Sequence, residues 1–234
     1  MTTRHLLPNG TPVQAAGETT AHRAVVVLQE AFGVNDHIRE VTQRFAAQGY
    51  YAVAPELFHR NGSPEVSYDN FPEAMRSLST LTHEGLREDL AATTEYLHSN
   101  GFNVPSIGSV GYCMGGSVSL FASTLGVVGA AVSFYGGGVA TGRFGLPSLL
   151  DLAPSLQCAW LGFYGDLDAS IPIEQVEALR SATALSSFTA EVIRYPDAQH
   201  GFNCDGRPAV FNETASRDAT RRTYDFLAQN LVAK

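Results

Sequence analysis

Apolar runs and amphipathic stretches alternate along this chain in a regular order. Ala24-Val25-Val26-Val27-Leu28 is a continuous apolar run, the pattern of a strand buried on both faces. Asn35-Asp36 supplies N-cap chemistry for a helix with Ile38, Val41 and Phe45 on one face and Gly49 as its stop. Tyr50 to Ala54 is the next strand, ended by Pro55. Leu86 to Ser99 reads as a helix with Leu86, Leu90 and Leu97 on one side. Ile107 to Tyr112 is another apolar run, followed by a helix to about Leu125. Further strands are predicted at Ala130–Tyr135, Cys158–Tyr164 and Thr189–Tyr195. Pro172 and Glu174 open a helix towards Ala184, and a last helix runs from about Asn212 to Asn230. Three stretches are less regular. Residues 10 to 22 read as an edge hairpin or lead-in, and 136 to 145 as a glycine-rich loop. Residues 55 to 85 form a long excursion in which Pro64 and Pro72 should break any long helix.

Strands alternating with helices predict an α/β fold: a mostly parallel central sheet with helices on both faces. At 234 residues the chain, 1–234, is read as one such domain. Ligands of these sheets bind at the carboxyl ends of the strands. Composition adds exclusions. Hydrophobic residues make up 44% and charged residues 16%, as in an ordinary soluble globule. The net charge is −8 with no basic run, which argues against nucleic acid or an anionic membrane as partner. No apolar stretch reaches the length of a signal-peptide core or a membrane span. Cys113, Cys158 and Cys204 are an odd number at no metal-ligand spacing. They are expected to be thiols in a reducing cytoplasm.

The candidate chemistry gathers after strand ends. Gly111-Tyr112-Cys113-Met114-Gly115-Gly116 follows an apolar run and opens a helix. This is the G-x-Nuc-x-G pattern of a nucleophile elbow, with a thiol in place of the usual serine. The glycines keep a sharp strand-to-helix turn free of collisions. The helix points its positive end at the sulfur, and the N–H of Met114 is placed to donate to an oxyanion. A thiol is mostly protonated at neutral pH, so it needs a base or a positive environment. His200, after the last strand and before the small Gly201, is the base candidate, with His59 as competitor. His5, His22, His37, His83 and His98 sit in polar contexts and are expected to be solvated. A carboxylate must fix the imidazole tautomer. Asp166 and Asp168 both follow the strand ending at Tyr164, and spacing does not choose between them.

Four segments together resemble the dienelactone hydrolase (carboxymethylenebutenolidase) family: Leu28–Gly33, Gly111–Gly116, Gly165–Pro172 and His200–Phe202. The likeness covers about residues 10 to 230 and implies the α/β-hydrolase fold without a large cap domain. It implies a Cys113–Asp168–His200 triad and a covalent acyl-enzyme, with Asp166 structural. It also implies that Glu30 interacts with the resting thiol and takes part in forming the thiolate. The N–H of Ala31 would complete the oxyanion hole with Met114. The implied substrate is a small ester or lactone, with no cofactor. Arginines hold the carboxylate of the family's lactone. Arg60, Arg76, Arg143 and Arg207 stand in suitable loops, Arg76 and Arg207 foremost, although the segment Asn203-Cys204-Asp205-Gly206-Arg207 places Arg207 later after the histidine than the family does. Phe32, Tyr112, Tyr135 and Phe202 are candidate pocket walls. Two rival readings remain. One is a ligand-binding protein without turnover, and the other is a redox sensor in which Cys204 resolves an oxidised Cys113.

Overall fold

A computed structural model describes residues 1–234. Its centre is one eight-stranded sheet in the order β1-β2-β4-β3-β5-β6-β7-β8. The strands are β1 (Thr3–Leu6), β2 (Pro12–Ala16), β3 (Arg23–Leu28), β4 (Tyr50–Pro55), β5 (Ile107–Tyr112), β6 (Ala130–Phe134), β7 (Ala159–Gly165) and β8 (Ala190–Tyr195). β1 and β2 pair antiparallel, β2 joins β4 antiparallel, and every pairing from β4 to β8 is parallel. This is the α/β-hydrolase fold. The reason for the parallel centre is visible in burial: β3, β4, β5 and β6 are almost entirely inaccessible, as strands sandwiched between two helical layers must be.

The helices are α1 (Asp36–Ala47), α2 (Phe71–Ser79), α3 (His83–Ser99), α4 (Met114–Thr124), α5 (Leu149–Leu152), α6 (Ile173–Thr183) and α7 (Glu213–Asn230). Their starts are set by the expected chemistry. The side chains of Asn35, Asn70, Thr82 and Asn212 each accept a hydrogen bond from an N–H in the first turn. Two glycines of β5 identify the layers. A Cβ on Gly108 would meet Leu227 and Leu231 at the end of α7, whereas one on Gly111 would meet Gly115 of α4. Positions of opposite parity on a strand face opposite sides, so α7 and α4 lie on opposite faces of the sheet. α1 shares the α7 face, where Phe45 meets Tyr224 edge-on at 5.3 Å.

The predicted elements are present with ends shifted by a residue or so, but the edge hairpin pairs Thr3–Leu6 with Pro12–Ala16 rather than lying within 10–22, the short α5 is additional, and three more differences stand out. α3 begins at His83, ahead of Leu86, because Thr82 caps it. β6 stops at Phe134, since Tyr135 turns to a φ of 40°. The excursion between β4 and α3 contains a helix, α2. Pro72 does not break it, because it stands in the first turn, where its missing N–H costs no hydrogen bond. No helix is long and apolar enough to cross a membrane.

Candidate active site

Cys113 occupies the turn between β5 and α4 with φ 55° and ψ −117°, a conformation that L-residues adopt only under tight constraint. Three neighbours supply that constraint. The N–H of Cys113 donates to Phe134 O at 3.0 Å, and that of Gly115 to Gln29 O at 3.0 Å. A Cβ on Gly111 would lie 1.8 Å from Gly115 O, and one on Gly115 would lie 2.3 Å from Leu28 O. The elbow therefore closes on itself and on the end of β3, which brings Ala31 beside the sulfur's turn. Met114 is the first residue of α4, so its N–H has no intrahelical acceptor, and the N–H of Ala31 donates to no backbone carbonyl.

Asp168 and His200 meet from the ends of β7 and β8. His200 Nδ1–H donates to Asp168 Oδ2 at 2.6 Å. Asp168 is buried, and its Oδ1 accepts from both the N–H (2.8 Å) and the hydroxyl (2.6 Å) of Ser170. Burial alone would raise its pKa, but the bonds to His200 and Ser170 leave it below the usual carboxylate value. The competing carboxylate, Asp166, is committed elsewhere: Arg194 donates to it at 2.7 and 2.8 Å. With Nδ1 bound to Asp168, Nε2 is the ring nitrogen left free, and His200 and Cys113 line the same cleft. Burial lowers the imidazole pKa, but the negative sulfur and Asp168 outweigh this and push it up to about 10. Gly201, at φ 82°, permits the turn that presents the ring.

Cys113, Asp168, His200 and Ala31 open into one cleft of about 380 Å³. Its walls are apolar: Phe71, Met75 and Leu78 descend from α2, and Phe144, Leu167 and Val210 close the sides. Arg143 and Arg207 are its two cations. Neither pairs with a carboxylate. Arg143 lies over the Phe144 ring at 5.0 Å, and Arg207 over Phe32 and Tyr68 at 5.5 Å each.

Several expected residues are elsewhere. Arg76 is on the solvent side of α2, 67% exposed and paired with Glu73. Tyr112 stacks on Phe134 in the core, because the last residue of β5 points under α1 rather than over the cleft. Phe202 is wholly buried among Phe134, Tyr135 and Tyr195. Phe32 is also buried and reaches the cleft only by supporting Arg207. Glu30 does not hydrogen-bond the Cys113 thiol. Its Oε1 accepts from the Tyr135 hydroxyl at 3.4 Å, and Oε2 has no partner. His59 is tied to Asp89 at 3.0 Å with Arg60 beside it, outside the cleft. His37 is buried rather than solvated, held by Asp205. The apolar lining from α2 was missed although Phe71, Ala74, Met75 and Leu78 follow the i, i+3, i+4, i+7 spacing of a helix face.

The sequence profile of the dienelactone hydrolase family matches residues 11–231. The chain belongs to the dienelactone hydrolase family. Relatives agree with this assignment. A Yersinia pestis protein assigned by name to the carboxymethylenebutenolidases is 36% identical over 218 residues, 92% of this chain and 81% of its own. An Escherichia coli K12 protein of the same name is 35% identical over 208 residues, covering 88% and 76%. The crystal structure of a Klebsiella pneumoniae protein described as a dienelactone hydrolase superposes with a TM-score of 0.88 at 32% identity, covering 98% of both chains. A dienelactone hydrolase-like phosphotriesterase, P91, shares the fold at a TM-score of 0.80 and 19% identity. This family member therefore carries a hydrolase frame with a thiol at the elbow.

Proposed function

We propose that this dienelactone hydrolase family member hydrolyses small carboxylic esters or lactones through Cys113, His200 and Asp168, by way of a covalent acyl-enzyme. The observation that carries the reading is the His200–Asp168 hydrogen bond beside the strained turn of Cys113, with all three residues lining one cleft that also holds two unpaired arginines. The raised imidazole pKa, with Cys113 and Asp168 as its causes, supports His200 as the group that carries the thiol proton. The thiolate adds to the substrate carbonyl, and the N–H groups of Met114 and Ala31 donate to the resulting oxyanion. One such donor contributes roughly 3 kcal/mol in comparable sites. The imidazolium then gives its proton to the departing oxygen, leaving a thioester on Cys113. Neutral His200 next takes a proton from water, the hydroxide releases the acid, and the thiolate returns. A lactone keeps its alcohol and acid in one product.

Arg143 and Arg207 favour substrates that carry a carboxylate in addition to the scissile ester, and the apolar walls favour a compact hydrocarbon body. Arg207→Met should raise KM for a carboxylate-bearing lactone about 10- to 100-fold, the worth of one charged hydrogen-bonding partner. The same change should leave KM for the corresponding neutral methyl ester within about two-fold. Equal losses on both substrates would refute the anion-binding role, and no turnover across an ester and lactone panel would refute the hydrolase reading.

The pH dependence follows from the direction of the His200 shift. The reactive pair needs an imidazolium, which persists until the pH passes through about 10. The same group contributes folding stability in full below its unfolded pKa of about 6.5, and this is lost as pH rises through the folded value. kcat/KM should therefore show an alkaline limb near 10, moving to lower pH in Asp168→Asn, which loses the carboxylate that supports the charge. A profile that rises with a midpoint near about 6.5 would instead mark His200 as a neutral base.

A further inference from the structure

We propose that Phe71 and Met75 of α2, with Leu167 of the loop after β7, form an apolar subsite that selects esters or lactones carrying an alkyl arm. The selection rests on the hydrolase chemistry proposed above. All three side chains line the cleft that holds Cys113 and His200. They are also open to solvent: Phe71 is 59% exposed, Met75 38% and Leu167 57%. Eight large apolar side chains of the chain are exposed, and the other five, Met1, Leu6, Leu185, Phe188 and Val232, lie outside this cleft. Exposed apolar residues scattered singly need no explanation. Three that converge from two elements on the reactive cysteine's cleft mark a surface that a ligand covers.

The construction of α2 shows why these positions stay uncovered. Glu73 and Arg76 pair with each other on its solvent side, while Ala74, Ser77 and Leu78 are buried against the body. Phe71 and Met75, one turn apart, share the edge of that buried face and line the cleft. Methionine is unbranched and polarisable, so Met75 adapts to arms of different shape, and the Phe71 ring supplies a broad apolar surface. Leu167 is the residue before Asp168, which brings the subsite next to the proton-carrying pair. Size sets the length of the arm. At the roughly 30 Å³ that one water occupies in the liquid, the 380 Å³ cleft holds about a dozen non-hydrogen atoms, and an ester with a second carboxylate takes about six of them. About six remain for hydrocarbon. A helix, about 10 Å across, does not enter such a space, so the occupant is part of the substrate and not a protein partner. With Arg143 and Arg207 in the same cleft, the preferred substrate carries both an anion and an alkyl arm.

The p-nitrophenyl esters of acetic, butanoic, hexanoic and decanoic acid test the subsite on the full-length protein. kcat/KM should rise about four-fold per methylene from acetate to hexanoate, the worth of one buried methylene, and level off by decanoate. The hexanoate-to-acetate ratio should fall about ten-fold or more in Phe71→Ser and in Met75→Gln. Arg76→Gln, on the solvent side of the same helix, should keep the wild-type ratio. Circular dichroism establishes that the variants are folded, and Leu167→Ser reports on the subsite from a second element if an α2 variant is not. A flat series in wild type overturns the proposal, and so does an equal loss on every ester in the variants, which marks a structural role. Absence of turnover along the whole series is a different result, because it sinks the hydrolase chemistry. Calorimetric titration with hexanoate and acetate then decides the subsite alone. Hexanoate binding about ten-fold or more tighter than acetate, with the difference lost in Met75→Gln, sustains it. Equal affinities in wild type overturn it.

Discussion

Cys113→Ala is expected to reduce kcat on any ester or lactone that the wild type turns over by on the order of 10⁴ to 10⁶-fold, the loss seen when a covalent nucleophile is removed. The fold should be unaffected. The cysteine is only part-buried, and its backbone turn is held by the bonds of its own N–H to Phe134 and of Gly115 to Gln29, none of which uses the sulfur. Rapid acid quench of the wild-type reaction followed by peptide mass spectrometry should find the acyl group on the peptide containing Cys113. The variant should show no adduct. A variant that keeps more than about one-tenth of wild-type kcat, or an adduct on another residue, would remove the thiol from the mechanism.

Gly111→Ala is expected to have the largest effect on the folded state. The added methyl would stand 1.8 Å from the carbonyl oxygen of Gly115 and 2.8 Å from the N of Gly116, both rigid backbone atoms. Relief requires β5 and α4 to separate, and β5 lies inside the sheet while α4 is buried against its face. The cost should exceed about 4 kcal/mol, the range reserved for substitutions that break a core constraint. Thermal unfolding would report a fall in Tm or loss of the soluble protein, together with loss of activity. An unchanged Tm would show that the elbow is looser than its contacts imply. Gly62→Ala makes a useful contrast: its φ of 79° adds backbone strain, but its Cβ would meet nothing within 4 Å.

What could be read from the sequence divides by the range of the interactions involved. The elbow was legible because its constraint is local: five residues, two of them glycine, define a turn that few other sequences accept. The strands β3 to β7 were legible because burial on both faces leaves a largely apolar run, whereas β8, at the sheet edge, is mostly half-buried and carries Glu191 and Arg194. The choice between Asp166 and Asp168 was not available from spacing, and rested on family resemblance. The structure separates them by partner, Arg194 for one and His200 for the other, and Arg194 comes from a strand far along the chain. α2 was hidden because Pro72 was read as a breaker without regard to its place in the helix. The aromatics Tyr112, Phe32 and Phe202 follow strand ends, as cleft residues do, but side-chain direction at those ends depends on which helix covers them. His37 looked solvated because its partner, Asp205, lies 168 positions away.

The roof of the cleft has one more implication. α2 is a nine-residue segment that ties to the body mainly through Ala74, Ser77 and Leu78, while Phe71 and Met75 hang over the reacting atoms. None of the groups proposed to make or break bonds belongs to it. Descendants of this scaffold can therefore change diet by rewriting a single short insert, while the reactive sulfur and its proton carrier are inherited intact.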